Sequence, residues 1–236
     1  MERRSPDIEV PHEALIRDLV NGLVPVRRLQ PPVLQAFVWL AAVAALAAML
    51  AVFSDRSGVS ARLLAAPDLW LAVVGEIATM ALAALAAFAL GRPDAARAWA
   101  LAPVPALLLW LGASGAGCLR DWVVPATVQI PPMTEARDCL VFIIGLSAPL
   151  SALMILMLRR SFSLQPGLTA AMAGLAAAAA AAGLLNFFHP FDATATDLVV
   201  HAAAVLMATA ASRSVGGNLL GKISMPTQPR PGRHRI

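Results

Sequence analysis

Residues 33–53 read VLQAFVWLAAVAALAAMLAVF, a block that contains one amide side chain, Gln35, and no charge. A helix rising 1.5 Å per residue needs about 20 such residues to cross a hydrocarbon core of roughly 30 Å. Working outward, five more blocks qualify, and the expected spans are Val33–Phe53, Leu69–Leu90, Ala98–Gly117, Leu140–Leu158, Leu168–Phe188 and Leu198–Val215. Transmembrane barrel strands alternate apolar and polar residues over about 10 positions, whereas these blocks are continuous Ala/Leu/Val runs. The fold expected is therefore all-α: a six-helix transmembrane bundle preceded by a short N-terminal cytoplasmic amphipathic helix. Pro31-Pro32 lead into the first span, Pro103 and Pro105 lie in the third, and Pro149 should kink the fourth by removing a helix hydrogen bond.

Composition agrees. Apolar residues make up 59% of the chain and charged residues 14%, against roughly 45–50% and 25% in soluble proteins. A mean hydropathy of +0.72 excludes an aqueous globule. The first apolar run begins only at residue 33, is too long for a signal h-region and has no A-x-A exit, so no cleaved leader is expected. Lys and Arg divide 14 against 4 between the two sides, which places both termini in the cytoplasm by the positive-inside rule. The division expected is a cytoplasmic segment 1–32, a membrane domain 33–215 and a disordered basic tail 216–236.

Outside the bilayer, the N-terminal segment carries the clearest pattern. Leu15, Ile16, Leu19 and Leu23 recur at steps of 1, 3 and 4 and share one helical face, with Glu13, Arg17 and Asp18 elsewhere around it. A single helix of about 13 residues is marginal in water. Its stripe must be covered by a partner protein, by the membrane interface or by its own bundle. The two carboxylates argue against a plain interfacial anchor, which is usually Lys/Arg-rich.

Cys118 ends the third expected span and Cys139 begins the fourth, so both face the external side, at the two ends of one loop. Adjacent antiparallel spans can bring two such residues within disulfide reach. Closing a loop of about 20 residues is worth on the order of 3 kcal/mol in the chain-entropy model. Three readings remain open from the residues alone: a structural staple, a redox or thiophilic-metal sensor, or two unpaired thiols. Arg120, Asp121, Arg137 and Asp138 flank the pair with opposing effects on thiol reactivity. Glu76 lies inside the second span, where an ionisable residue is a functional candidate by default. His201 is comparably deep in the sixth, and Asp197 shares its face one turn earlier; Glu76 therefore has two readings, a neutral carboxyl hydrogen-bonded to a neighbouring helix or a contact with His201 in the outer half of the bundle. Small residues surround the fifth span, which suits a central place in the bundle or a homodimer contact. No nucleophile–base pair or compact metal-ligand spacing is present, so neither an enzyme nor a cofactor is expected.

The neck Pro25-Val26-Arg27-Arg28-Leu29-Gln30-Pro31-Pro32, the segment Cys118-Leu119-Arg120-Asp121-Trp122, the segment Arg137-Asp138-Cys139-Leu140 and the stretch His189–Asp197 with His201 resemble the proteobacterial NrsF-type membrane anti-sigma factors. The resemblance covers essentially the whole chain. It implies that residues 1–30 hold an extracytoplasmic-function sigma factor at the bacterial inner membrane, without direct nucleic-acid contact. It further implies that Cys118 and Cys139 take part in sensing envelope stress, oxidative or heavy-metal. Leu15, Ile16, Leu19 and Leu23 would then dock on the sigma factor, with Arg27 and Arg28 near the membrane end. Many relatives carry another cysteine in the third external loop, where this chain has His189-Pro190. The rival reading is a small transporter or channel with Glu76 and His201 in its pathway; no inverted repeat is visible in the sequence to support it.

Overall fold

The computed structural model describes residues 12–22, 30–53, 67–123, 133–161, 163–186, 188 and 195–224. Among them every regular element is helical. A short helix, α1 (His12–Asn21), precedes six helices long and apolar enough to cross a membrane. These are α2 (Pro32–Ala51), α3 (Pro67–Leu90), α4 (Val104–Val123), α5 (Met133–Leu158), α6 (Pro166–Leu185) and α7 (Ala195–Ala211). A 3-10 turn (Arg97–Leu101) leads into α4, whose first turn begins just after Pro103. Proline opens α2, α3 and α6 at the first helical position, where a missing amide costs nothing.

Two boundaries differ from the sequence expectation. The helices bearing the cysteines run past the apolar blocks: α4 continues to Val123, five residues beyond Cys118, and α5 starts at Met133, six before Cys139. Hydropathy ends where the charges begin, but Leu119–Trp122 and Thr134–Arg137 are compatible with helix, so the backbone does not stop there. The sixth span likewise does not end at Val215. It passes through a π-helical turn (Ser212–Gly216) into α8 (Gly217–Ser224), where a disordered tail was expected from residue 216. Gly216 lies against Ile155 and Ala170, and Gly217 against Gly167, so these glycines serve close packing and do not break the helix. Residues 225–236 lie outside the described residues.

Alternating chain direction gives the bundle two ends: a basic end, with Gln30, Arg92 and Arg159, and a cysteine end, with Cys139. At its centre α3 packs antiparallel on α6, which is the most enclosed span, with fifteen of its residues buried against three in α2. Both helices bring alanines to one buried cluster, Ala83, Ala84 and Ala87 from α3 and Ala173, Ala176, Ala177 and Ala180 from α6, all essentially inaccessible, together with larger side chains such as Phe88 and Leu175. Around this pair the chain forms two three-helix units. In the first, α2 and α4 both pack on α3; in the second, α5 and α7 both pack on α6, and also on each other. Because each unit has an odd number of spans, the second runs upside down relative to the first.

The correspondence extends to single contacts. Gly75 and Gly174 are each the ninth residue of the middle helix of their unit. A Cβ on Gly75 would meet the Trp110 backbone nitrogen at 2.6 Å, and one on Gly174 would meet the Thr209 Cα at 3.0 Å and the Ser212 Cβ at 2.5 Å. Trp110 and Thr209 each follow their glycine by the same 35 positions. The two units thus share one close glycine contact at the same spacing, whereas the outer helices pack on each other only in the second.

These close approaches are testable. Gly75→Ala and Gly174→Ala should each cost about 1–3 kcal/mol through overpacking, lowering the thermal midpoint of the detergent-solubilised chain. Gly112→Ala and Gly145→Ala, which have nothing within 4 Å of the added carbon, should leave the midpoint unchanged or raise it.

Candidate functional site

Three groups of residues carry chemistry: the N-terminal helix, polar contacts within the bundle, and the cysteine end. On α1, Ile16, Leu19 and Val20 are more than half exposed, and the helix makes no extended packing with any span. Periodicity located this face but did not include Val20. Leu23, Arg27 and Arg28 lie outside the described residues, as does the side chain of Leu15. The chain enters α2 through Gln30, whose carbonyl oxygen accepts from Gln35 Nε2 at 2.9 Å and from Arg92 Nη2 at 3.4 Å. The connection between the arm and the bundle is therefore held by a side chain from the segment that follows α3.

Polar contacts cross the seam between the two units at three depths. At the basic end the Leu90 carbonyl, one of the last-turn acceptors that α3 cannot satisfy internally, lies 3.0 Å from Ser163 Oγ and 3.2 Å from Thr169 Oγ1. The two hydroxyls are 2.8 Å apart, and Thr169 Oγ1 is also 3.1 Å from the Gln165 carbonyl. Each hydroxyl has one proton to give, so the acceptors share two donors in a buried knot. At middle depth Trp39, a fully buried side chain of α2, donates its indole Nε1 to the Leu150 carbonyl of α5 at 3.2 Å. Toward the cysteine end Glu76 is buried beside Gly183, where a Cβ would come within 3.3 Å of its carboxyl carbon. Asn186 Nδ2 donates to Glu76 Oε2 at 3.2 Å.

Of the two readings of Glu76, the hydrogen bond to a neighbouring helix is the one present, with Asn186 at the end of α6 as its partner, and not the contact with His201. Glu76 is on α3 and His201 on α7, and these helices do not pack side by side because α6 lies between them. The sequence could match the two residues only by depth, and depth does not specify which helices are neighbours. Asp197 stands one turn before His201 on α7, and its side chain is outside the described residues. Sequence reading missed Asn186, Trp39, Ser163 and Thr169, since an amide, an indole or a hydroxyl in an apolar block has no pattern that marks its partner.

Cys139 is buried with Ile143, Ala181, Leu185 and Ala204 in a small cluster at its end of the bundle. Cys118 lies on α4, and its side chain is outside the described residues. Among the described residues the spans that carry the cysteines show no extended packing on each other, contrary to the adjacency expected from chain order: α4 packs on α3, α5 packs on α6, and α7 touches both. Cys118 therefore belongs to the first unit and Cys139 to the second. Among the described residues no group of three His, Cys, Asp or Glu side chains gathers to hold a metal ion.

Comparison with known proteins adds a family. A model described as negative regulator of sigma F, NrsF, matches residues 19–221, from within α1 to within α8. No curated protein and no solved structure matches the chain. A match over that length, on a bundle of six spans with an uncovered helix ahead of them, places the chain in the NrsF family of negative regulators of a sigma factor.

Proposed function

We propose that the protein is a membrane-bound anti-sigma factor that holds an extracytoplasmic-function sigma factor at the bacterial inner membrane and releases it under envelope stress. The observation that carries this reading is the apolar face of α1, Ile16, Leu19 and Val20, left uncovered on a helix that, among the described residues, makes no extended packing with any span. A helix of ten residues is marginal alone, so its order and its stripe both call for a partner groove, the helix-in-groove mode of recognition. Residues 1–32 form the cytoplasmic binding arm and the six spans its membrane body, with the Lys/Arg asymmetry directing both termini to the cytoplasm. Leu15 and Leu23 extend the docking stripe, and Arg27 and Arg28 lie between it and the bilayer. Holding the sigma factor through α1 keeps it from core polymerase without contact between this chain and nucleic acid. No catalytic step is needed.

On the opposite side, Cys118 and Cys139 form the sensing pair. Their helices belong to different units, so a change in the link between them alters how one unit sits on the other. Thiols facing an oxidising compartment are exposed to oxidants and thiophilic metals.

A transport pathway through Glu76 and His201 is the alternative, and inverted three-helix units are found in carriers. Against it, α3 and α6 bring inaccessible alanines to the centre of the bundle, and among the described residues the helices of Glu76 and His201 show no extended packing.

Deleting residues 1–24 should switch on the partner sigma factor's regulon constitutively, read with a promoter reporter; a transporter would keep its flux and leave the reporter silent. Ile16→Asp or Leu19→Asp should weaken capture of the sigma factor by the full-length membrane protein by about 2 kcal/mol, roughly thirtyfold. For the cysteines, Cys118→Ser and Cys139→Ser should each abolish release on oxidant or cadmium exposure while leaving repression intact without stimulus. Thiol trapping before and after exposure checks that the pair changes state, and unchanged induction in both variants would exclude it as the sensor.

A further inference from the structure

The two three-helix units meet along an unusual surface. Ala83, Ala84 and Ala87 of α3 lie against Ala173, Ala176, Ala177 and Ala180 of α6, and none of these side chains has a rotamer to interlock with its neighbour. Packing of this kind brings backbones close and resists sliding or rocking weakly, and the larger side chains that cross between the units, Trp39 toward Leu150, Leu158 against Gly91 and Glu76 against Gly183, are few. Polar clasps between the units are few and lie at separate depths: Ser163 and Thr169 with the Leu90 carbonyl, Trp39 with the Leu150 carbonyl, and Asn186 with Glu76. Each is expensive to break in hydrocarbon, where an unpaired donor or acceptor has no water to turn to, so together they define one seated arrangement.

Among the described residues, the arm's exit is tied to the first unit. Its exit at Gln30 is held by Arg92, two residues beyond the Leu90 carbonyl that Ser163 and Thr169 grip from the second unit. Any displacement of the units at the basic end therefore shifts the point from which the arm leaves the membrane.

We propose that the two inverted three-helix units rock on each other across the alanine seam, and that Trp39, Asn186 and the Ser163–Thr169 pair are positioning residues that hold the seated state. In that state the arm is presented for capture; unseating withdraws it. This rests on the anti-sigma reading for its consequence, though not for the motion itself. A switch of this kind needs a small gap between two packings, and it responds to any influence that favours one of them.

The test uses the full chain in native membranes. In a Cys118→Ser/Cys139→Ser background, Ser163→Cys places one thiol in the buried knot at the basic end, leaving Thr169 in place. Labelling by a membrane-impermeant maleimide, added to inside-out vesicles, then reports the fraction of time the seam is open. Trp39→Phe keeps the ring and removes the donor. Although it lies about 10 Å deeper in the bundle, it should raise the labelling rate at residue 163 at least threefold at equal membrane amounts. Asn186→Ala, at the far end of the bundle, should do the same and serves if Trp39→Phe fails to accumulate. Local damage at either position would leave a thiol at residue 163 protected, so unchanged labelling overturns the proposal. A sigma-dependent reporter in the same strains should rise at least threefold without stimulus. Raised labelling with a silent reporter, where deletion of residues 1–24 turns the reporter on, overturns the coupling to the arm. If that deletion also leaves the reporter silent, the anti-sigma reading fails and the motion stands.

Discussion

Helices in lipid gain nothing from the hydrophobic effect by touching each other, because the surrounding tails are as apolar as the helices themselves. What holds this bundle is the close approach of α3 and α6, and only small side chains permit it. Alanine on alanine, however, carries little register information: a shift along the seam sets alanine against alanine again. Register must come from elsewhere, and the polar contacts supply it. The Leu90 carbonyl with Ser163 and Thr169 fixes one end, Glu76 with Asn186 the other, and Trp39 on Leu150 fixes the outer helix between them. The rest of the fold depends on this division, in which alanines bring the helices together and a few polar groups decide where they stop.

That division explains what could be read from the chain and what could not. Span number and approximate span limits follow from bilayer thickness, a constraint that acts on each helix alone and leaves its mark in a contiguous block. The central place of α6 was visible in the same way, since small residues on every face suit a helix with neighbours all round. Partners were not visible. Glu76 was recognisable as a buried carboxyl, but whether it met His201 or Asn186 depends on which helices adjoin α3. Trp39 looked like any deep tryptophan. The cysteines seemed adjacent because their spans are consecutive, whereas α4 and α5 belong to different units. The matching glycine contacts were not visible either, because Ala/Leu/Val blocks resemble one another without being equivalent; Gly75 and Gly174 become counterparts only once their contacts with Trp110 and Thr209 are known.

The N-terminal helix follows the opposite logic. Its ten described residues expose Ile16, Leu19 and Val20 beside Arg17, so it cannot be stabilised by the interior of the body it precedes. In a negative regulator of a sigma factor this incompleteness is useful. A helix already buried on its own bundle would have to be released before it could bind, and its affinity would fall by the fraction of time it spent undocked.

The place at which the arm is attached matters for the proposed switch. Its span, α2, buries only Ala36, Trp39 and Val43, fewer positions than any central helix needs. Had the arm extended from α6, any change in its position would have had to carry the helix on which α3, α5 and α7 all pack. Extending instead from a lightly held outer helix, with one buried indole bond to the second unit and one carbonyl gripped by Gln35 and Arg92, it can be repositioned by altering a few contacts. Weak seating of the arm-bearing helix and tight packing of the central pair are therefore complementary: the first lets a small change reach the arm, and the second keeps that change from dissolving the bundle.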